Sequence, residues 1–128
     1  TSPIHKTKKE TDRDFNTAIE LIIKNIKNIY IFFGTHNEQS TKILIKHMKK
    51  TMIKNNDKRI FFSQLYGMSD NISYSLKEQN FNVVKYLPYG PIFESIPYLI
   101  RRLNENSSVS VHSKKELKLI YNEIKKRK

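Results

Sequence analysis

The chain contains three short apolar runs, and each is followed by a turn and then by a segment with helical periodicity. The runs are IYIFF at 29–33, RIFFSQL at 59–65 and VVKY at 83–86. Runs rich in β-branched and aromatic residues predict buried strands, and helices between successive strands predict a parallel sheet. We therefore expect an α/β fold in the order α–β–α–β–α–β–α–α, with the first strand buried on both faces.

The helical segments are recognised by apolar residues at three- and four-residue steps. We expect the first helix to begin near Glu10 and to carry an apolar stripe that reaches Ile29. The later elements are a second helix over 38–53, a third capped by Ser69 or Asp70 and ending near 79, a fourth over 93–104, a loop over 107–111 and a terminal basic helix over 114–128. Pro97 fits the fourth helix only if it lies in the first turn.

Three strands are too few to close a barrel of parallel strands, which needs about eight strands and ~250 residues. A chain of 128 residues is therefore either a small three-stranded sandwich or part of a larger α/β domain. The first residue is Thr1 rather than Met, which leads us to expect that the chain is cut from something longer.

The net charge of +12 is the difference between 24 Lys and Arg residues, of which 19 are Lys, and 12 Asp and Glu residues. A positive chain binds nucleic acid and anionic lipid non-specifically, so a small basic nucleic-acid-binding or membrane-binding protein is one interpretation.

The absence of Cys excludes disulfides, thiolate metal ligands and a Cys nucleophile. No His pair has metal-ligand spacing, so we predict no metal site, and the sequence has no GxGxxG, P-loop or GxSxG motif.

Polar and aromatic side chains follow the three strands at the points where they end. Thr35 and His36 follow the first strand, Gln64 and Leu65 end the second, and Tyr86 ends the third. Parallel α/β folds bind ligands at this edge, where we expect these residues to meet. His36 can contact a cofactor or polarise a substrate, or it can be a loop histidine with a structural bond. Tyr86, taken by itself, is more typical of a packing residue than of a site residue.

The adjacent Arg101 and Arg102 stand out because the chain has only five Arg residues. A guanidinium group is a planar fork that binds a carboxylate or phosphate through two hydrogen bonds, which Lys cannot do. The pair therefore suggests a site for an anionic substrate. The alternative is a solvated helix face on which Glu94 or Glu105 pairs with the arginines.

Three segments, taken together, resemble the C-terminal half of the proline dehydrogenase family. They are FGTHNEQS at 33–40, FSQLYGMSDNISYSL at 62–76 and KYLPYGPIFESIPYLIRRLNENSS at 85–108, and their order and spacing match the family over about residues 9–127. The flanking segments are similar to eukaryotic mitochondrial members.

The resemblance implies a (β/α)8 barrel of the TIM type that holds FAD at the carboxyl ends of its strands. It also implies oxidation of L-proline to Δ1-pyrroline-5-carboxylate, with electrons passed to a membrane quinone. Residues 10–112 would then be a partial barrel of about three βα units, preceded by a linker or fragment start at 1–9 and followed by a basic helix at 113–128. The implied location is the matrix side of the mitochondrial inner membrane, with peripheral membrane association and no specific nucleic acid.

The resemblance also assigns four residues to the substrate. Arg101 and Arg102 correspond to the arginine pair that binds the proline carboxylate. Tyr86 corresponds to the aromatic residue that packs on the pyrrolidine ring, and Leu65 corresponds to an apolar wall of the same site.

Three further residues correspond to the cofactor side of the site: Thr35 and His36 in the THN turn, and Glu105 near the flavin. The family's lysine for the substrate carboxylate, and an acidic residue and an arginine near the flavin, belong to earlier strands. We therefore assign no separate catalytic residue, and we expect the chain to need the remainder of the barrel for activity. A further alternative is that the chain is an inactive remnant.

Overall fold

The computed structural model describes residues 4–107 and 124–125 of the chain. Its elements are α1 (Lys8–Lys24), a 3₁₀ turn (Ile26–Asn28), β1 (Ile31–Gly34), α2 (Glu38–Lys50), β2 (Ile60–Leu65), α3 (Asp70–Glu78), β3 (Val83–Tyr86) and α4 (Ile92–Ser107). The chain divides into two compact units, Thr1–Tyr86 and Leu87–Lys128. The predicted terminal helix lies outside the described residues, except that 124 and 125 are helical.

The three strands form one parallel sheet in the order β1-β2-β3. The helix α2 connects β1 to β2, and α3 connects β2 to β3. The prediction of an α/β fold with a parallel sheet is confirmed.

One face of the sheet is covered by helices. Ile31 and Phe33 of β1 and Ile60 and Phe62 of β2 belong to the same buried cluster. The helical members of that cluster are Ile19 and Ile23 of α1, Leu44 and Met48 of α2, and Ile72 and Leu76 of α3. Burial of these apolar side chains is the main favourable contribution to the folding of the first unit.

The opposite face of the sheet, which we call the open face, carries Phe32, Phe61, Ser63, Leu65, Val84 and Tyr86, because side chains alternate along a strand. Phe32 is 70% exposed and stacks on Phe61 with ring centroids 5.2 Å apart. The prediction that the first strand is buried on both faces is therefore wrong. Every residue of IYIFF is apolar, so the sequence could not indicate which face the helices cover.

In α1 and α2, three predicted helix boundaries differ from the structure. The capping box of Thr7 and Glu10 starts α1 at Lys8, and the helix ends at Lys24 instead of continuing towards Ile29. The helix α2 ends at Lys50 rather than Ile53, because the backbone becomes left-handed at Met52, with φ 54°.

Pro97 lies inside α4, beyond the first turn, so the predicted restriction to that turn is wrong. Its ring nitrogen has no hydrogen, and the carbonyl of Phe93 therefore lacks the amide donor that a helix normally supplies. The helix nevertheless continues to Ser107, which had been predicted to begin a loop.

Candidate functional site

The carboxyl ends of the strands bring predicted site residues of the first unit to one edge of the sheet, which we call the carboxyl rim. Leu65 and Tyr86 are register partners on β2 and β3. The Tyr66 amide donates to the Tyr86 carbonyl over 2.8 Å, and the Thr35 amide donates to the Ser63 carbonyl over 3.2 Å. Thr35, Leu65 and Tyr86 therefore all lie at this rim, as the strand ends predicted.

The turn after β1 is fixed by its own side chains. Thr35 Oγ1 accepts a hydrogen bond from the Asn37 amide over 3.0 Å. Asn37 Oδ1 accepts from the Gln39 amide over 2.9 Å and so caps the start of α2. A hydroxyl group that accepts one bond still has its own hydrogen to donate, so the Thr35 hydroxyl can contact a ligand.

His36, half-buried in this turn, has its Nδ1 atom 2.9 Å from Ser69 Oγ. Burial lowers the pKa of His36 below its ordinary value of 6.5, and the positive charge of Lys85 lowers that pKa further. The imidazole is therefore neutral at pH 7 and offers one donor and one acceptor nitrogen.

A second polar residue behind the rim is Gln64, which is 1% exposed. Its Oε1 atom accepts a hydrogen bond from Ser73 Oγ of α3 over 2.9 Å. Its Nε2 atom is buried and has no hydrogen-bond partner in the part of the chain that the structure describes. The buried amide and its serine partner connect β2 to the first turns of α3.

Lys85 was missed by the sequence reasoning. Its Nζ atom donates to the Met68 carbonyl over 2.9 Å and to Asp70 Oδ1 over 2.6 Å. These contacts connect β3 to the loop that carries Ser69. The signal in the sequence was a single charged residue in an otherwise apolar and aromatic strand, which suggests a specific partner.

The two arginines lie in α4, in the second unit. Arg101 is exposed and Arg102 is half-buried. The Arg102 guanidinium lies 5.3 Å from the centre of the Tyr98 ring, one helical turn earlier, which is within cation–π distance. Tyr98 was not among the predicted site residues, although its spacing of four residues from Arg102 could have indicated the contact.

The alternative partners of the arginines were Glu94 and Glu105. No ion pair joins Arg101 to a carboxylate among the side chains that the structure describes, and these include Glu94. Glu105 lies in α4, but its side chain is outside the described set. Its predicted position near a flavin stays a prediction.

Within residues 4–107 and 124–125, no three His, Cys, Asp or Glu side chains are grouped so that they could hold a metal ion. The helices described over the same ranges include none with the length and apolar character needed to cross a membrane.

The fold and the carboxyl rim define an α/β protein in which Thr35, Leu65 and Tyr86 lie where parallel strands end. Comparison with known proteins gives the family. Residues 1–115 match the family model described as proline dehydrogenase, and the chain belongs to that family, which confirms the resemblance seen in the sequence.

The chain is 44% identical over 121 residues to the carbapenem antibiotics biosynthesis protein CarD of Pectobacterium carotovorum, covering 94% of this chain and 31% of that protein. It is 37% identical to mitochondrial proline dehydrogenase 1 of Dictyostelium discoideum, covering 98% of this chain and 23% of the relative. Mitochondrial proline dehydrogenase 2 of Arabidopsis thaliana is also 37% identical, with 98% and 27% coverage. The chain thus spans less than a third of the length of these relatives. No solved structure matches the chain.

Proposed function

We propose that this chain supplies the substrate-carboxylate clamp and part of the cofactor contacts of a FAD-dependent proline dehydrogenase, which oxidises L-proline to Δ1-pyrroline-5-carboxylate and passes electrons to a quinone. The observation that carries the proposal is the position of Thr35, Leu65 and Tyr86 at one carboxyl rim. Family membership supports the same chemistry. The two relatives named as mitochondrial support a mitochondrial location, for which we propose the matrix side of the inner membrane, with peripheral association.

A (β/α)8 barrel is the architecture that we propose for the complete site. The strand order β1-β2-β3 follows the chain, and core residues of α1, α2 and α3 pack on the same face of the sheet. A barrel has all its helices on the outside and strands in sequential order, whereas a doubly wound sheet has helices on both faces. The open face would then line the barrel interior, and further strands would pair with β1 and β3.

The substrate carboxylate is assigned to Arg101 and Arg102. The guanidinium groups are opposite in charge to the carboxylate, and each can donate two parallel hydrogen bonds to it. The Tyr98 ring beneath Arg102 restricts the motion of that guanidinium, so less conformational entropy is lost when the substrate binds. Tyr86 and Leu65 supply the apolar contacts for the pyrrolidine ring.

The cofactor contacts are assigned to Thr35 and His36, and Glu105 is kept as a third. FAD presents phosphate, hydroxyl and carbonyl oxygens. The Thr35 hydroxyl and the neutral imidazole of His36, whose Nδ1 already contacts Ser69, provide donors that fit such acceptors. The flavin, when bound, supplies the acceptor for the hydride, while residues of this chain bind and orient the substrate.

The proposal is tested in a chimera in which this chain replaces the corresponding C-terminal segment of the Dictyostelium relative, with which it aligns over 98% of its length. We expect proline-dependent reduction of a quinone analogue and a flavin absorbance spectrum. Arg101→Lys and Arg102→Lys should each lower kcat/KM about tenfold to a hundredfold, because a bidentate charged contact contributes about 1.5–3 kcal/mol. The matched control is Arg13→Lys on the exposed surface of α1, which should change nothing.

Unchanged kinetics in both arginine variants would refute the assignment. Binding of RNA, DNA or anionic vesicles that persists above physiological salt would instead support the alternative of a small basic nucleic-acid-binding or membrane-binding protein.

One relative is named for carbapenem antibiotics biosynthesis. A chimera that binds flavin but oxidises no proline would therefore favour a different substrate over proline.

A further inference from the structure

Ser69, one of the two residues predicted to cap α3, stands at the N-cap position, but its side chain makes no capping hydrogen bond, so the predicted capping role is wrong. Its backbone is left-handed, with φ 51° and ψ 41°. This conformation is costly for a residue with a Cβ atom unless the surroundings hold it in place. The side chain is therefore available for another contact, which is the one with His36 Nδ1.

The number of available acceptors decides the direction of that hydrogen bond. Ser69 is 9% exposed, so leaving its hydroxyl hydrogen without an acceptor would be costly. Among the described residues the only hydrogen-bond partner of Ser69 Oγ is His36 Nδ1 at 2.9 Å. If Ser69 donates to Nδ1, the proton of the neutral imidazole must be on Nε2.

The loop that carries Ser69 is held from two further sides. Lys85 donates to the Met68 carbonyl, immediately before Ser69, and to Asp70 immediately after it. The Ser69 carbonyl accepts the amides of Ile72 and Ser73 over 3.1 and 3.2 Å. These bonds fix the Ser69 hydroxyl relative to β3 and α3, so it can impose one orientation on the imidazole.

We propose that Ser69 is a positioning residue that holds His36 as the tautomer protonated on Nε2, so that the Nε2–H group is offered as a hydrogen-bond donor to an oxygen atom of a ligand at the carboxyl rim. The identity of the ligand rests on the proposed function, in which it is FAD. The tautomer and its dependence on Ser69 do not rest on it.

The test is nitrogen-15 NMR of the histidine rings in the full chain, without flavin or proline, at a pH above the His36 pKa. We expect His36 Nε2 to carry the proton and Nδ1 to carry none. Ser69→Gly removes the hydroxyl while favouring the left-handed backbone. In this variant we expect a mixture of both tautomers and a rise of the His36 pKa, with Lys85 and Asp70 still in place.

The matched control is Asn80→Gly, because Asn80 is exposed and also left-handed, with φ 63°. It relieves the same kind of backbone strain and should leave the His36 signals unchanged. Ser69→Cys keeps a side chain of similar shape but is a weaker hydrogen-bond donor, so it should give a tautomer ratio between those of the unmodified chain and Ser69→Gly. If Ser69→Gly does not fold, the tautomer ratio of Ser69→Cys tests the inference. A proton on Nδ1 in the unmodified chain, or unaltered His36 signals in the Ser69 variants, would overturn the inference. Failure of the proposed function would appear only in the chimera assay.

Discussion

Leu65 and Tyr86 are register partners on adjacent parallel strands, yet Leu65 is 7% exposed and Tyr86 is 53% exposed. Both side chains lie on the open face at the carboxyl rim. Because Leu65 is the more buried of the two, its truncation should cost more stability, and Tyr86 presents more accessible surface to a ligand.

Tyr86→Ala should raise the KM for proline of the chimera, and it should lower the free energy of unfolding of the chain by less than Leu65→Ala does, because Tyr86 is the less buried residue. Leu65→Ala should destabilise the chain by about 2–3 kcal/mol. Urea unfolding and steady-state kinetics measure the two effects. Tyr74→Ala on α3, also at an exposed tyrosine, is the control, and an equal rise in KM there would contradict the assignment.

Removing the ring beneath Arg102 should weaken substrate binding although the arginine is retained. A cation–π contact contributes about 0.5–2 kcal/mol, so Tyr98→Leu should lower kcat/KM of the chimera by about twofold to thirtyfold. Tyr98→Phe keeps the ring and should retain most of the activity. If Phe and Leu at this position behave alike, the ring does not orient Arg102.

The Asp57–Arg59 pair should make stability depend on acid pH. Hydrogen bonds from the Arg59 side chain lower the pKa of Asp57 from 3.8 to about 2. The folded state thus favours the charged carboxylate, and this stabilisation is complete above the unfolded-state pKa of 3.8 and is lost as the pH falls towards 2.

Urea unfolding across that range should show a smaller decrease in stability for Asp57→Asn than for the unmodified chain. The control is Asp12→Asn, whose carboxylate pairs with Lys8 on the surface of α1. The same pH dependence in the unmodified chain and in Asp57→Asn would show that other groups cause it.

Lys85→Met should loosen the loop that carries Ser69 while leaving the sheet intact. The variant keeps an unbranched apolar stem but loses the donor to the Met68 carbonyl and to Asp70. We expect faster hydrogen exchange at amides of residues 66–73, with unchanged protection in β1 and β2. Lys77→Met on the exposed surface of α3 is the control. Equal protection in both variants would show that the Lys85 hydrogen bonds do not hold this loop.

The alternation of strands and helices was predictable because each element carries its own periodicity and turn residues. The carboxyl rim followed from that alternation, since parallel strands end at the same edge. Residues such as Thr35, Leu65 and Tyr86 could therefore be placed together before any coordinates.

The contacts behind the rim could not be predicted from local pattern. Ser69 reads as a helix cap, and its actual partner, His36, is 33 residues away in the chain. Lys85 likewise donates to the Met68 carbonyl in the loop after β2, 17 residues away. Such pairings depend on which loops the packed sheet brings together, and a window of neighbouring residues contains no information about that.

Pro97 divides the backbone ladder of α4 just before the arginines. The missing backbone hydrogen bond is the one that the Phe93 carbonyl would accept from residue 97, one turn before Arg101 and Arg102. The arginines follow Pro97 by about one turn, so the backbone bonds that fix their relative position are those that form after the proline.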